Sequence, residues 1–219
     1  MGQKVNPKAI RLGINETWSN LWSGDKKNYS KSTQLYLQVK RIWEKNVDAN
    51  LYEDISVQIN MREIVIFVRT HKAHIIIGQK GNNINKIQSQ LISGLKKTVP
   101  WFKEMNLNVN IKIKETNAEL SPGIIAHQIH DALMEKKDFK KTMKFLAEMA
   151  LENGALGLLI RVSGRIGGKA IASSMLKKFG SVSLQTLNVK FKQAQKHVLT
   201  KSGCCGVTCI IALPHNYKE

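Results

Sequence analysis

Cysteine is scarce in this sequence of 219 residues: Cys204, Cys205 and Cys209 are the only three. That is too few, and odd in number, for a disulfide framework, so the chain reads as a protein of a reducing compartment. Long apolar runs are missing as well. Charges interrupt each hydrophobic stretch well before the ~20 residues a membrane span needs. The first residues hold neither an apolar signal core nor the Arg- and Ser-rich pattern of a transit peptide, so the product is expected to stay where it is made. The shortage that says most is of acids. There are 16 Asp+Glu against 34 Lys+Arg, a formal charge of +18. Ile64 to Lys103 holds seven basic residues and no acid, and Gly154 to Lys218 holds ten and again none. Solvated lysines explain part of the excess, but ordinary soluble surfaces intersperse both signs.

Such a balance asks for a polyanion. Nucleic acid leads, because each phosphate neutralised by Lys or Arg releases condensed counterions. An anionic membrane surface competes, but it calls for one basic amphipathic helix and not charge spread over a whole chain. With 42% hydrophobic residues the chain has enough apolar material to fold. Its length fits two domains of about 100 residues.

The hydrophobic pattern divides the chain into a basic arm (residues 1–29) and two units, residues 30–117 and 118–219. In the first unit, Leu35, Val39, Ile42 and Trp43 have helical spacing within a helix expected over Ser30 to Asn50. Ile55, Val57 and Ile59 alternate with polar residues, and Ile64 to Val68 is a β-branched run, so two strands follow. Ile84, Ile87, Leu91, Ile92 and Leu95 mark one face of a helix. Pro100 breaks the chain, and Leu107, Val109, Ile111 and Ile113 alternate as a strand. In the second unit Ser121-Pro122 starts a helix with a good N-cap residue and Pro at the first position. A second helix runs from about Asp138 to Glu152. A strand at Leu158 to Val162, a Gly-rich turn, a shorter helix and two strands (Leu187 to Phe191, Val207 to Leu213) complete an α+β pattern.

Three motifs carry chemistry. Gly78-Gln79-Lys80-Gly81 has G-x-x-G spacing between an Ile-Ile-Ile-Gly turn and a helix. Glycines there let the backbone approach a sugar-phosphate chain, and the helix start attracts phosphate. The spacing alone is common in helix connections; the strand and helix order around it favours the KH module, whose loop clamps nucleotides. Lys137, Lys140, Lys141 and Lys144 fall at i, i+3, i+4 and i+7, one side of one helix. Either an anionic partner or plain solvation opposite Phe139, Met143 and Leu146 accounts for them. Ser163-Gly164-Arg165-Ile166-Gly167-Gly168-Lys169 fails the nucleotide-binding P-loop pattern, having Ser163 where glycine is needed and Ala170 in place of Ser or Thr. As a basic loop opening a helix it still suits RNA phosphates. His71 with His74, and His127 with His130, are spaced by three without an evident third ligand, and the cysteines lack zinc spacing. No metal, cofactor or enzymatic signature is expected.

These residues resemble a known family. Met1-Gly2-Gln3-Lys4-Val5-Asn6-Pro7, Arg11-Leu12-Gly13, the Trp18 to Trp22 stretch, the G-x-x-G loop, Val162 to Lys169 and Leu184-Gln185-Thr186-Leu187 are together similar to the bacterial-type small-subunit ribosomal protein three family, in the same order over nearly the whole chain. The resemblance implies a type II KH domain followed by a C-terminal α+β two-layer sandwich domain. It implies a place in the head of the small subunit, at the mouth of the messenger channel. The implied partners are ribosomal RNA, messenger RNA and the neighbouring ribosomal proteins ten and fourteen. By the same likeness Lys140, Lys141 and Lys144, with Lys137 beside them, face the incoming messenger. Lys4, Arg11, Arg161, Arg165 and Lys169 are the expected ribosomal RNA contacts. The family more often has arginine at the first two messenger positions, and lysine lacks its planar fork. Residues 174–183 also depart from the family pattern. Lysine outnumbers arginine 28 to 6, and with abundant Asn and Ile this points to an AT-rich genome. A mitochondrial origin comes first, then a plastid or a bacterial cytoplasm. A free KH-type regulator or assembly factor is the alternative to a ribosomal constituent.

Overall fold

A computed structural model describes residues 5–20, 22, 26–48, 51–60, 63–99, 101–102 and 108–214. Lys4, Pro100 and Leu107, expected to touch RNA, to break the chain and to begin a strand, lie outside those residues. The chain forms two compact units, one over Trp18–Thr116 and one joining Asn117–Glu219 with the residues before Trp18. Among the described residues, no helix is long and apolar enough to cross a membrane.

The first unit holds α1 (Lys26–Asn46), β1 (Tyr52–Ile59), β2 (Glu63–Thr70), α2 (Ala73–Ile77), α3 (Asn82–Thr98) and β3 (Asn108–Glu115). Its sheet has the order β1-β2-β3, antiparallel between β1 and β2 and parallel between β2 and β3. The α1 stripe Leu35, Val39, Trp43 and the α3 stripe Ile87, Leu91, Leu95 bury against Ile55, Val57, Ile64, Ile66, Val68 and Val109. Full burial of each such side chain contributes about 1.5–3 kcal/mol. Gly94 lets the two helices approach: a Cβ there would lie 2.8 Å from Ile42 Cδ1.

The second unit holds α4 (Pro122–Met134), α5 (Phe139–Glu152), β4 (Gly157–Gly164), β5 (Ser173–Gly180), β6 (Lys190–Thr200) and β7 (Gly203–Leu213). The sheet order is β5-β4-β7-β6, every pair antiparallel. Ile125 and Ile129 of α4 and Met143, Leu146 and Ala147 of α5 pack on Leu158, Ile160, Val162, Val207, Cys209 and Ile211. This is the expected two-layer sandwich. Ser121 precedes α4 as expected, but its side chain makes no capping bond, whereas Asp138 caps α5 by accepting from the Lys140 backbone N–H.

Three expectations change. The strand expected over Leu187 to Phe191 begins only at Lys190, with Leu187 in the turn before it, and runs on to Thr200. The helix expected after Lys169 is strand β5, with Met175 opposite Val162 and Phe179 opposite Leu158. Met175 and Phe179, both facing the core, are four apart, a spacing that satisfies a helix and a strand alike; pairing with β4 decides for the strand. The arm does not stand apart either. Residues 5–17 belong to the second unit, held there by Arg11, and α1 already begins at Lys26.

Candidate nucleic-acid interface

The G-x-x-G loop is built as a turn between two helices. Gly78 ends α2 at φ 71°, its N–H donating to the His74 carbonyl at 2.9 Å. A Cβ at Gly78 would lie 2.6 Å from the Asn83 side chain, and that side chain donates to the Ile75 carbonyl at 3.2 Å. Only glycine satisfies both the left-handed backbone and this close approach. Lys80 is exposed and itself left-handed (φ 53°). Gly81 offers no side-chain cap to α3, whose first turn has no acid. The amides at that helix start therefore suit an anion. Ile75 and Ile77 stand exposed beside the loop, an apolar flank that the sequence reading passed over as part of a turn.

The lysine stripe is real on α5 but shorter than its spacing implies. Lys137 precedes the helix, in a turn where Lys136 has φ 55°. Its ammonium pairs with Glu135, which raises the lysine pKa through their hydrogen bond and charge. Lys144 lies 3.6 Å from Glu148. Lys140 and Lys141 are exposed in the first turn, and among the described residues neither forms an ion pair. Cations in a first helical turn oppose the macrodipole, so this end of α5 is electrostatically poised for an incoming anion.

The glycine-rich loop folds back on itself. Arg165 donates through Nε to the Lys169 carbonyl at 2.7 Å and through Nη1 to the Ser202 carbonyl at 3.0 Å. Arg165 and Lys169 are both exposed. The loop opens β5 and not a helix, so the expected help from a helix dipole is absent there. Arg161 is exposed on β4 with Leu176 as its register partner. Successive strand residues alternate in face, and Ile160 and Val162 face the helices. Arg161 therefore lies on the helix-free face, as does Lys178, which pairs with Leu159. A helix over this segment, as the sequence suggests, would hide Lys178 from that face; the pairing with β4 puts it there.

Arg11 is the clear correction. It is fully buried, with Nε donating to the Val189 carbonyl (2.7 Å), Nη1 to Pro7 (2.8 Å), and Nη2 to Leu184 (3.0 Å) and Thr186 (2.7 Å). The guanidinium also sits 4.4 Å from the Phe191 ring centroid. Burial lowers its pKa, partly offset by Glu16. Four of five N–H donors are used inside the fold, so Arg11 ties the arm to the 184–189 loop and does not reach RNA.

His127 and His130 also differ from expectation, because Asp131 accepts from both rings. In β7, Cys205 and Cys209 are buried, with burial pushing the Cys209 thiol pKa up, while Cys204 is exposed.

Comparison with known proteins agrees with both units. Residues 38–118 match the KH domain family and residues 129–211 match "Ribosomal protein S3, C-terminal domain". The small ribosomal subunit protein uS3 of Coxiella burnetii (strain RSA 493 / Nine Mile phase I) is 31% identical over 94% of this chain and 87% of its own length. That of Spiroplasma citri is 32% identical over 94% and 80%, and that of Pelagibacter ubique 29% identical over 94% and 88%. A KH fold followed by its sandwich, each carrying the motifs that define it, and likeness along nearly the full length place the chain in the ribosomal protein S3 family.

Proposed function

We propose that this chain is a structural constituent of the small ribosomal subunit, seated in its head and bound to ribosomal RNA. The ribosomal RNA contacts run through the exposed Arg161, Arg165 and Lys169, with Gly78 to Gly81 offering backbone amides and Lys80 to a phosphate. Lys140, Lys141 and Lys144 line the mouth of the messenger channel. One observation carries the reading: two lysines that form no ion pair among the described residues open α5, where the helix dipole disfavours them, so an anion from outside best accounts for them. Ribosomal proteins ten and fourteen are the proposed neighbours, on family likeness. The Lys-, Asn- and Ile-rich composition favours a mitochondrial ribosome over a plastid or bacterial one, although the relatives named above are bacterial.

Sucrose-gradient sedimentation in high salt tests the assignment. The chain is expected to travel with the small-subunit peak after weakly held proteins are stripped. Recovery only at the top of the gradient would favour a free KH-type regulator or assembly factor.

A further inference from the structure

Helix α4 brings three donor side chains to one side of a single turn and a half. His127, His130 and Asp131 stand at i, i+3 and i+4. His127 Nδ1 lies 3.0 Å from Asp131 Oδ2, and His130 Nδ1 lies 2.9 Å from Oδ1. The two imidazole centroids are 5.4 Å apart at an interplanar angle of 57°. One donor atom from each residue lies within 4.8 Å of the other two. Each carboxylate oxygen thus already meets a ring nitrogen, and the atom between each pair is a proton.

We propose that His127, His130 and Asp131 form a binding site for a single borderline divalent cation, Zn²⁺ foremost, held by two imidazole nitrogens and one carboxylate oxygen. The ion takes the place of the hydrogen each Nδ1 shares with the carboxylate: a neutral ring carries its hydrogen on Nε2 instead, and a charged ring releases one proton to water. Zinc sits about 2.0–2.2 Å from such donors, so the three donor atoms must draw closer than 4.8 Å when the ion binds. Imidazole suits Zn²⁺, Ni²⁺ and Cu²⁺, whereas Mg²⁺ and Ca²⁺ prefer oxygen alone. The site is enclosed on one side only. The histidine side chains are 18% and 22% exposed and that of Asp131 is 51% exposed, so water completes the coordination from the solvent side.

The surroundings set the strength. Lys196, on the packed strand β6, acts against the ion. β6 packs against α4, and the Lys196 charge is close enough for Asp131 to feel it, so the ammonium opposes an incoming cation.

The test uses the full chain without a histidine tag and with Cys204→Ser, which removes the exposed thiol. Zn²⁺ is titrated against a chromophoric chelator, and one equivalent is expected to bind. His127→Gln with His130→Gln should weaken binding at least tenfold, and Asp131→Asn should weaken it as well. Lys196→Met should tighten it several-fold; an unchanged affinity would place the ion away from Asp131. A second measurement needs no variant of the site. On addition of Zn²⁺ the imidazole NMR signals of His127 and His130 should shift, and Co²⁺ should give a spectrum free of thiolate charge transfer. Absence of saturable binding, shifts confined to other histidines, or full affinity in the double glutamine variant would overturn the site.

Discussion

Arg11 shows how a single residue decides where a segment belongs. Its carbonyl acceptors on Leu184, Thr186 and Val189 lie more than 170 positions away, and together with Pro7 they leave the guanidinium fully buried. Removing it strands these acceptors, and a buried group left unsatisfied costs about 1–3 kcal/mol. Arg11→Met is therefore expected to lower unfolding stability by about 3 kcal/mol in urea titrations, since water can re-enter to only some of the carbonyls. Arg11→Lys should recover only part, because an ammonium has three donors and no plane. A loss below about 1 kcal/mol for the methionine variant would mean that the tie contributes little. His71 supplies a second residue-scale expectation. Burial, and then the charge of Lys72, lower its pKa below the usual histidine value. The unfolded chain then binds a proton that the folded chain resists, so stability is full above the ordinary histidine pKa of about 6.5 and falls as pH drops through it. His71→Gln should flatten that part of the stability-against-pH curve; an unchanged slope would assign it to another group.

At the scale of elements, the sequence showed most of what the structure contains, for reasons visible in particular stripes. Leu35, Val39, Ile42 and Trp43 together recur at a period only a helix satisfies, and Leu35, Val39 and Trp43 are fully buried. The alternation at Val109, Ile111 and Ile113 suits only a strand. β5 was hidden because Met175 and Phe179 fit both periods, and only its pairing with β4 settles the matter. Lys137 likewise kept helical spacing while lying outside the helix, since periodicity carries no information about the cap at Asp138. The candidate site was legible where local chain geometry makes it, as at Gly78 to Gly81. It was illegible at Arg11 and Asp131, where distant backbone or a neighbouring acid decides. Changing Lys140, Lys141 and Lys144 together to Ala removes two cations that oppose the dipole at the helix start, against the loss of the exposed Lys144–Glu148 pair, so stability should hold or rise by about 0.3–1 kcal/mol. In the reading proposed above, translation should slow on messengers with stable hairpins and keep its rate on unstructured ones. Equal rates on both templates would remove these lysines from the messenger path, and a clear loss of stability would assign them a structural role.

For the whole molecule, the charge of +18 is distributed over separate surfaces on two units: the loop at Lys80 in one, and the α5 lysines with Arg161, Arg165, Lys169 and Lys178 in the other. Distribution of that kind has a measurable signature in salt. Each phosphate contact to single-stranded RNA contributes about 0.7 to the slope of log K against log salt concentration. Lys80→Ala should thus reduce the slope by about 0.7, and the triple α5 variant by about 2, provided each side chain holds one phosphate. Lys80 and the α5 lysines belong to different units, and the reductions should add when the variants are combined if the two surfaces bind independently. Filter binding to a long single-stranded RNA across a salt series measures all three slopes. A general affinity of a basic chain for any polyanion would behave otherwise: each variant would lose slope only in proportion to its share of the 34 Lys and Arg residues, with no excess at these positions. If a single variant abolished the slope, one surface would be doing the binding and the other would be free for a different partner. Additive losses at Lys80 and on α5 are what two separate contacts with one large RNA require.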